Sequence, residues 1–130
     1  MKKPHEKIDF ETFYARLRHD FPKLDSLSVW DKWDYSNESC EQCVVMSEVA
    51  REMIRWANEG NYEDVKKLLD YIELCITDAE YDVIAYIGTD FTVTILECRN
   101  REVRESIKKL MGPEVADAYR MNLGAYREPN

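Results

Sequence analysis

The chain has 130 residues, 45% of them hydrophobic, with 18 Lys and Arg against 26 Asp and Glu for a net charge of −8. This length and apolar content fit one domain, residues 1–130, with a buried core, and exclude a disordered chain. The acidity excludes the clustered cationic surface that direct nucleic-acid binding requires.

The charge is unevenly placed. Residues 36–90 hold thirteen acidic and four basic residues, while 1–35 hold seven of each and 91–130 hold seven basic and six acidic. No apolar run approaches the roughly 18 residues that span a bilayer. Met1-Lys2-Lys3-Pro4-His5-Glu6 opens without an apolar signal region, so a cytoplasmic chain with reduced thiols is expected.

The first periodic segment runs from about Asp9 to Phe21, with Phe10, Phe13, Tyr14, Leu17 and Phe21 at helical spacing and Pro22 as its stop. Lys23 to Tyr35 reads as a packed irregular connection, with room for a short helical turn, whose Trp30 and Trp33 cover the core. The second helix is expected over Glu38–Glu59, capped by Ser36 or Asn37, with Cys43, Met46, Ser47, Ala50, Met53, Ile54 and Ala57 inward. Gly60-Asn61 breaks it, Gly60 supplying the left-handed residue that ends many helices. The third, Tyr62–Thr77, turns Val65, Leu68, Leu69, Ile72 and Ile76 inward and forms an antiparallel hairpin with the second.

The spacing predicts a fourth helix from Ala79 to Cys98 with Asp78 as its cap, although the β-branched run Phe91–Leu96 and Gly88 also admit a strand. No second strand is available to pair with it, which favours helix. Asn100 caps a fifth, Arg101–Met111, and Pro113 opens a sixth carrying Val115, Ala116, Tyr119 and Leu123. The expected fold class is all-α, about six antiparallel helices in one bundle, with HEAT-like stacking of hairpins as a variant.

Catalytic signatures are scarce. His5 and His19 have no nucleophile or metal-ligand partner at fixed spacing, and no phosphate loop or nucleophile elbow occurs. Cys40-Glu41-Gln42-Cys43 is the one motif with chemical meaning, because a helix N-terminus lowers a thiol's pKa. A redox reading needs a preceding strand, and a zinc reading needs two more clustered ligands, whereas Cys75 and Cys98 stand singly on separate helices. No enzyme, cofactor or metal is expected.

The second helix carries an acidic stripe. At 100° per residue, Glu41, Glu48, Glu52 and Glu59 project within about 40° of one another. Arg51 and Arg55 border the stripe on one side, and Val45, Val49 and Trp56 on the other, which makes Trp56 a candidate contact anchor. Glu63, Asp70 and Glu73 extend the field along the third helix, and Asp82 and Asp90 along the fourth. Such a surface speeds encounter with a basic protein.

Asp82-Val83-Ile84-Ala85-Tyr86-Ile87 followed by Phe91, then Leu96-Glu97 and Leu110-Met111-Gly112-Pro113-Glu114, resembles a group of small all-helical bacterial proteins. Some of these are encoded beside polymorphic or contact-dependent toxins. Gly88-Thr89-Asp90 departs from that group, which often has a polar and a small residue before the phenylalanine. The resemblance covers the C-terminal half and implies an all-α fold and an immunity role, without catalytic residues.

The expectation is therefore an immunity protein that binds a cognate toxin domain, such as a basic nuclease. Glu41, Glu48, Glu52, Trp56, Glu59, Glu63 and Asp70 would make the contact. It involves no direct nucleic acid and no membrane. The alternatives are a helical adaptor, able to dimerise through the Trp30/Trp33 region, and a Cys-x-x-Cys redox or metal protein.

Overall fold

The computed structural model describes residues 7–32 and 40–125, with side chains for residues 7–30 and 43–122. Helix α1 (Phe10–Asp20) starts where Asp9 caps it, its Oδ1 accepting from the Thr12 amide at 2.9 Å. Phe13, Tyr14 and Leu17 are fully buried. Pro22 does stop α1, but it also sits at the first position of a further short helix, α2 (Pro22–Asp25), where its missing N–H costs nothing. With α3 (Val29–Lys32), α2 makes the packed connection expected there more helical, two short helices where one turn was allowed. Trp30 is buried, and its Nε1 donates to the Leu24 carbonyl at 2.6 Å. Trp33, Tyr35 and the expected caps Ser36 and Asn37 lie outside the described residues.

Helix α4 (Cys40–Asn58) and α5 (Tyr62–Asp78) form the hairpin around Gly60, whose φ is +84°. The Gly60 amide donates to the Ala57 carbonyl at 3.0 Å, and the Asn61 amide to the Trp56 carbonyl at 2.8 Å. This paired closure is a Schellman motif, and it satisfies carbonyls that the helix end would leave open. On α5, Val65, Leu68, Leu69, Ile72 and Ile76 are buried as the periodicity requires, and Cys75 joins them.

Asp78 ends α5 rather than capping the next helix. Ala79 is extended there, and Ile8 runs beside it as a single parallel bridge. The Ile8 amide donates to the Asp78 carbonyl and the Glu80 amide to the Ile8 carbonyl, both at 2.8 Å. The expected fourth helix is divided into α6 (Tyr81–Tyr86), a π-helical turn (Ile87–Phe91) and α7 (Thr92–Leu96). The β-branched run is nonetheless helical, and its threonine hydroxyls bond back along the helix. Thr92 Oγ1 donates to the Gly88 carbonyl and Thr94 Oγ1 to the Asp90 carbonyl, both at 2.7 Å. From the far side, Asn122 Nδ2 donates to the Gly88 carbonyl and, at 2.6 Å, to Thr92 Oγ1. An added Cβ on Gly88 would stand 3.9 Å from Ala118 Cβ, so ordinary contact, not close helix approach, surrounds this glycine.

Asn100 caps α8 (Arg101–Lys109), accepting from the Val103 amide at 3.1 Å, and Pro113 opens α9 (Pro113–Ala125). The fold is all-α, with no named strand among the described residues and more helices than the six expected. Helix α4 packs against α3, α5, α6, the π-helical turn, α7 and α8, while α9 lies on α5, α7 and that turn. This is a bundle around a central helix rather than a row of hairpins touching only their neighbours.

Candidate functional site

The central position of α4 decides the state of its acidic stripe. Val45, Met46, Val49, Ala50, Met53, Trp56 and Ala57 are all buried, whereas Cys43, Ser47 and Ile54 are half-buried. Val45, Val49 and Trp56 were expected at the border of the stripe, and the structure places them in the core instead. A helix packed on several sides buries a wider arc than a single apolar face.

Glu52 lies inside that arc, 7% exposed. Its Oε2 accepts from Trp56 Nε1 at 3.2 Å and from Arg55 Nη2 at 2.7 Å. The hydrogen bond to Glu52, and then its charge, raise the Arg55 guanidinium above its ordinary value. The carboxylate therefore serves the fold: it satisfies a buried indole N–H that would otherwise cost free energy. Trp56 itself is 2% exposed, with Lys23 Nζ 5.6 Å from its ring centroid. An exposed anchor at this position is not what the structure holds.

The remaining acids divide by their partners. Glu48 pairs with Arg51 at 2.8 Å one turn away, and Asp70 pairs with Lys66. Both carboxylates stay partly solvated, and exposed pairs of this kind are weak enough to exchange for an outside cation. Glu59 and Glu63 are exposed on either side of Gly60. The side chain of Glu41 lies outside the described residues. Asp82 is exposed, and Asp90 accepts from the Thr89 hydroxyl at 3.2 Å.

Glu73 belongs to a different task. Its two oxygens accept from the Glu114 and Val115 amides, both at 2.9 Å, and so cap α9 from α5. Gly112 makes this approach possible, since an added Cβ there would lie 2.6 Å from Glu73 Cδ. The hairpin thus presents Glu48, Glu59, Glu63 and Asp70 outward, with Glu52 and Glu73 committed to the interior and to α9.

The Cys-x-x-Cys motif occupies the first turn of α4; Cys43 is half-buried, and the Cys40 side chain lies outside the described residues. Burial raises the Cys75 thiol above its ordinary value, which lowers its reactivity. Among the described residues, no three His, Cys, Asp or Glu side chains are grouped so as to hold a metal ion. No helix among them is long and apolar enough to cross a membrane. His19 is exposed and contacts Asp20 at 3.0 Å.

One feature is built from residues far apart in the chain. Asp20, Phe21, Pro22, Lys23, Trp56, Asp64 and Lys67 line a half-open pocket of about 220 Å³ at the α1–α2 corner. Lys23 Nζ bonds Asp64 Oδ2 at 2.9 Å and covers the Trp56 ring, while Lys67 Nζ lies 5.4 Å from the Phe21 ring centroid. No local spacing links residues more than thirty positions apart, so periodicity carried no signal for it.

No curated protein and no solved structure matches this chain. Residues 14–125, from within α1 to the end of α9, match the family described as a domain of unknown function (DUF7674), and the chain belongs to that family.

Proposed function

We propose that this chain is a bacterial immunity protein, acting in the cytoplasm without catalysis of its own, that binds and neutralises a cognate toxin domain of basic character, such as a nuclease. The observation that carries the reading is the outward set of carboxylates on the α4–α5 hairpin, with Glu59 and Glu63 exposed around its turn. Glu48 and Asp70 add two carboxylates held only by exposed pairs. Such a surface accelerates encounter with a cationic partner and competes with nucleic acid for its cleft. Glu52 and Trp56 act beneath this surface, holding α4 in register.

The test is co-expression with the product of the neighbouring gene in the source cell, followed by size-exclusion chromatography and a growth-protection assay. A salt-sensitive complex and protected cells are expected. The double variant Glu59→Lys with Glu63→Lys should slow association about tenfold at low salt while leaving the fold intact. No complex together with no protection would refute the reading.

A further inference from the structure

The pocket between the α1–α2 corner and the hairpin has the chemistry of a cation receptor. Its floor is two aromatic rings, Phe21 and Trp56, both nearly closed to solvent. A cation from the chain already stands over each: Lys67 over Phe21 and Lys23 over Trp56. Asp64 supplies a carboxylate, at 2.9 Å from Lys23 Nζ, and Asp20 is a second acid in the lining. Lys23 is an exposed residue whose side chain remains 52% accessible, so it covers Trp56 from the solvent side rather than from within the core.

We infer that this pocket receives one arginine side chain of a partner protein, which enters as Lys23 swings out to water. The inference rests on the basic partner proposed above and names one of its contacts. A guanidinium is the better occupant: it is planar, stacks on an indole, and pairs two-pronged with a carboxylate, whereas an ammonium is a strongly hydrated point charge. The exchange is neutral in charge, one cation leaving as another arrives. Lys67 also lines the pocket, but with Lys23 swung out Asp20 and Asp64 outweigh it, so the opened pocket favours a cation over an anion. About 220 Å³ is space for a guanidinium head and part of its stem, not for a folded segment.

The exchange explains how Trp56 could contribute to recognition while it is buried in the free protein. The closed Lys23–Asp64 latch reduces apparent affinity by the fraction of time that it is open. A latch open 10–20% of the time would cost roughly 5- to 10-fold.

The test titrates N-acetyl-arginine methylamide into the protein and follows the Trp56 indole N–H by nuclear magnetic resonance, the signal being identified by its loss in Trp56→Phe. A saturable shift of that signal is expected. Lys23→Met, which keeps the stem and removes the competing charge, should tighten binding about 5- to 10-fold. Asp64→Asn should weaken it; far-UV circular dichroism verifies that both variants are folded. No shift in wild type or in Lys23→Met would overturn the inference, as would a shift produced by N-acetyl-aspartate or inorganic phosphate but not by the arginine probe. In the toxin-binding assay, a complex whose affinity ignores both variants would overturn the pocket's role and leave the immunity reading standing. A partner that fails to bind at all would sink the immunity reading, and the probe titration alone would then decide the pocket.

Discussion

Glu73 ties two helices that are far apart in sequence, and removing it should be costly for an exposed-looking acid. Its carboxylate caps α9 through the Glu114 and Val115 amides, both at 2.9 Å, and complements the positive end of that helix. Losing a helix cap costs about 1 kcal/mol, and bonds to a charged acceptor raise that figure, while water can reach the more exposed of the two amides. Glu73→Ala should therefore destabilise by about 2 kcal/mol, or roughly 6–10 °C in Tm for a chain of this size. Glu73→Gln keeps one oxygen acceptor and should lose about half as much. Gly112→Ala should cost about 1–2 kcal/mol, because its Cβ would drive into Glu73 at 2.6–2.7 Å. The informative measurement is the double-mutant cycle by urea denaturation, read by circular dichroism. With Glu73 already alanine, Gly112→Ala should be neutral or slightly stabilising, since the clash is gone and the unfolded chain is restricted. Single effects that simply add, within about 0.5 kcal/mol, would refute the coupling.

Glu52→Ala should destabilise by about 2 kcal/mol in the same urea assay, by leaving the Trp56 indole N–H buried without its acceptor, whereas Glu52→Gln should cost less. Equal effects would show that the carboxyl oxygen is not the acceptor that matters. Gly88→Ala should raise stability by about 0.5–1 kcal/mol, since the added methyl meets Ala118 at ordinary contact distance and a helical glycine is entropically costly; a lowered Tm would contradict this. Burial raises the Cys75 thiol above 9.0, so the folded state holds that proton more tightly than the unfolded one. The resulting stabilisation is full below about pH 9 and is lost as pH rises through the folded value, so stability should fall on the alkaline side. Urea midpoints from pH 8 to 10.5 would check the trend, and Cys75→Ala should flatten part of it. In the native protein, Cys75 should also react with Ellman's reagent far more slowly than in urea.

Much of the fold was legible locally. Asn100 caps the helix it precedes, Gly60 takes the positive φ, and the inward set of α5 follows its 3.6-residue period. These features depend on a residue and its neighbours within a turn or two, where backbone sterics and capping chemistry act. The π-helical turn was not legible in this way. Its Gly88 carbonyl is satisfied by Asn122, and the two residues are 34 positions apart.

The acidic stripe shows the division most clearly. Its sign, its concentration between residues 36 and 90 and its angular alignment on α4 follow from composition and helical geometry alone. Which acids face water does not, because that depends on how many neighbours α4 acquires. Packing on several sides drew Glu52 and Trp56 into the core, where their mutual hydrogen bond offsets the desolvation of both. Glu73 was claimed by a helix 41 residues later. The chain's local chemistry set the helices and the charge. Burial and long-range hydrogen bonding then sorted the carboxylates between structure and surface, because desolvation depends on surroundings that no single segment contains.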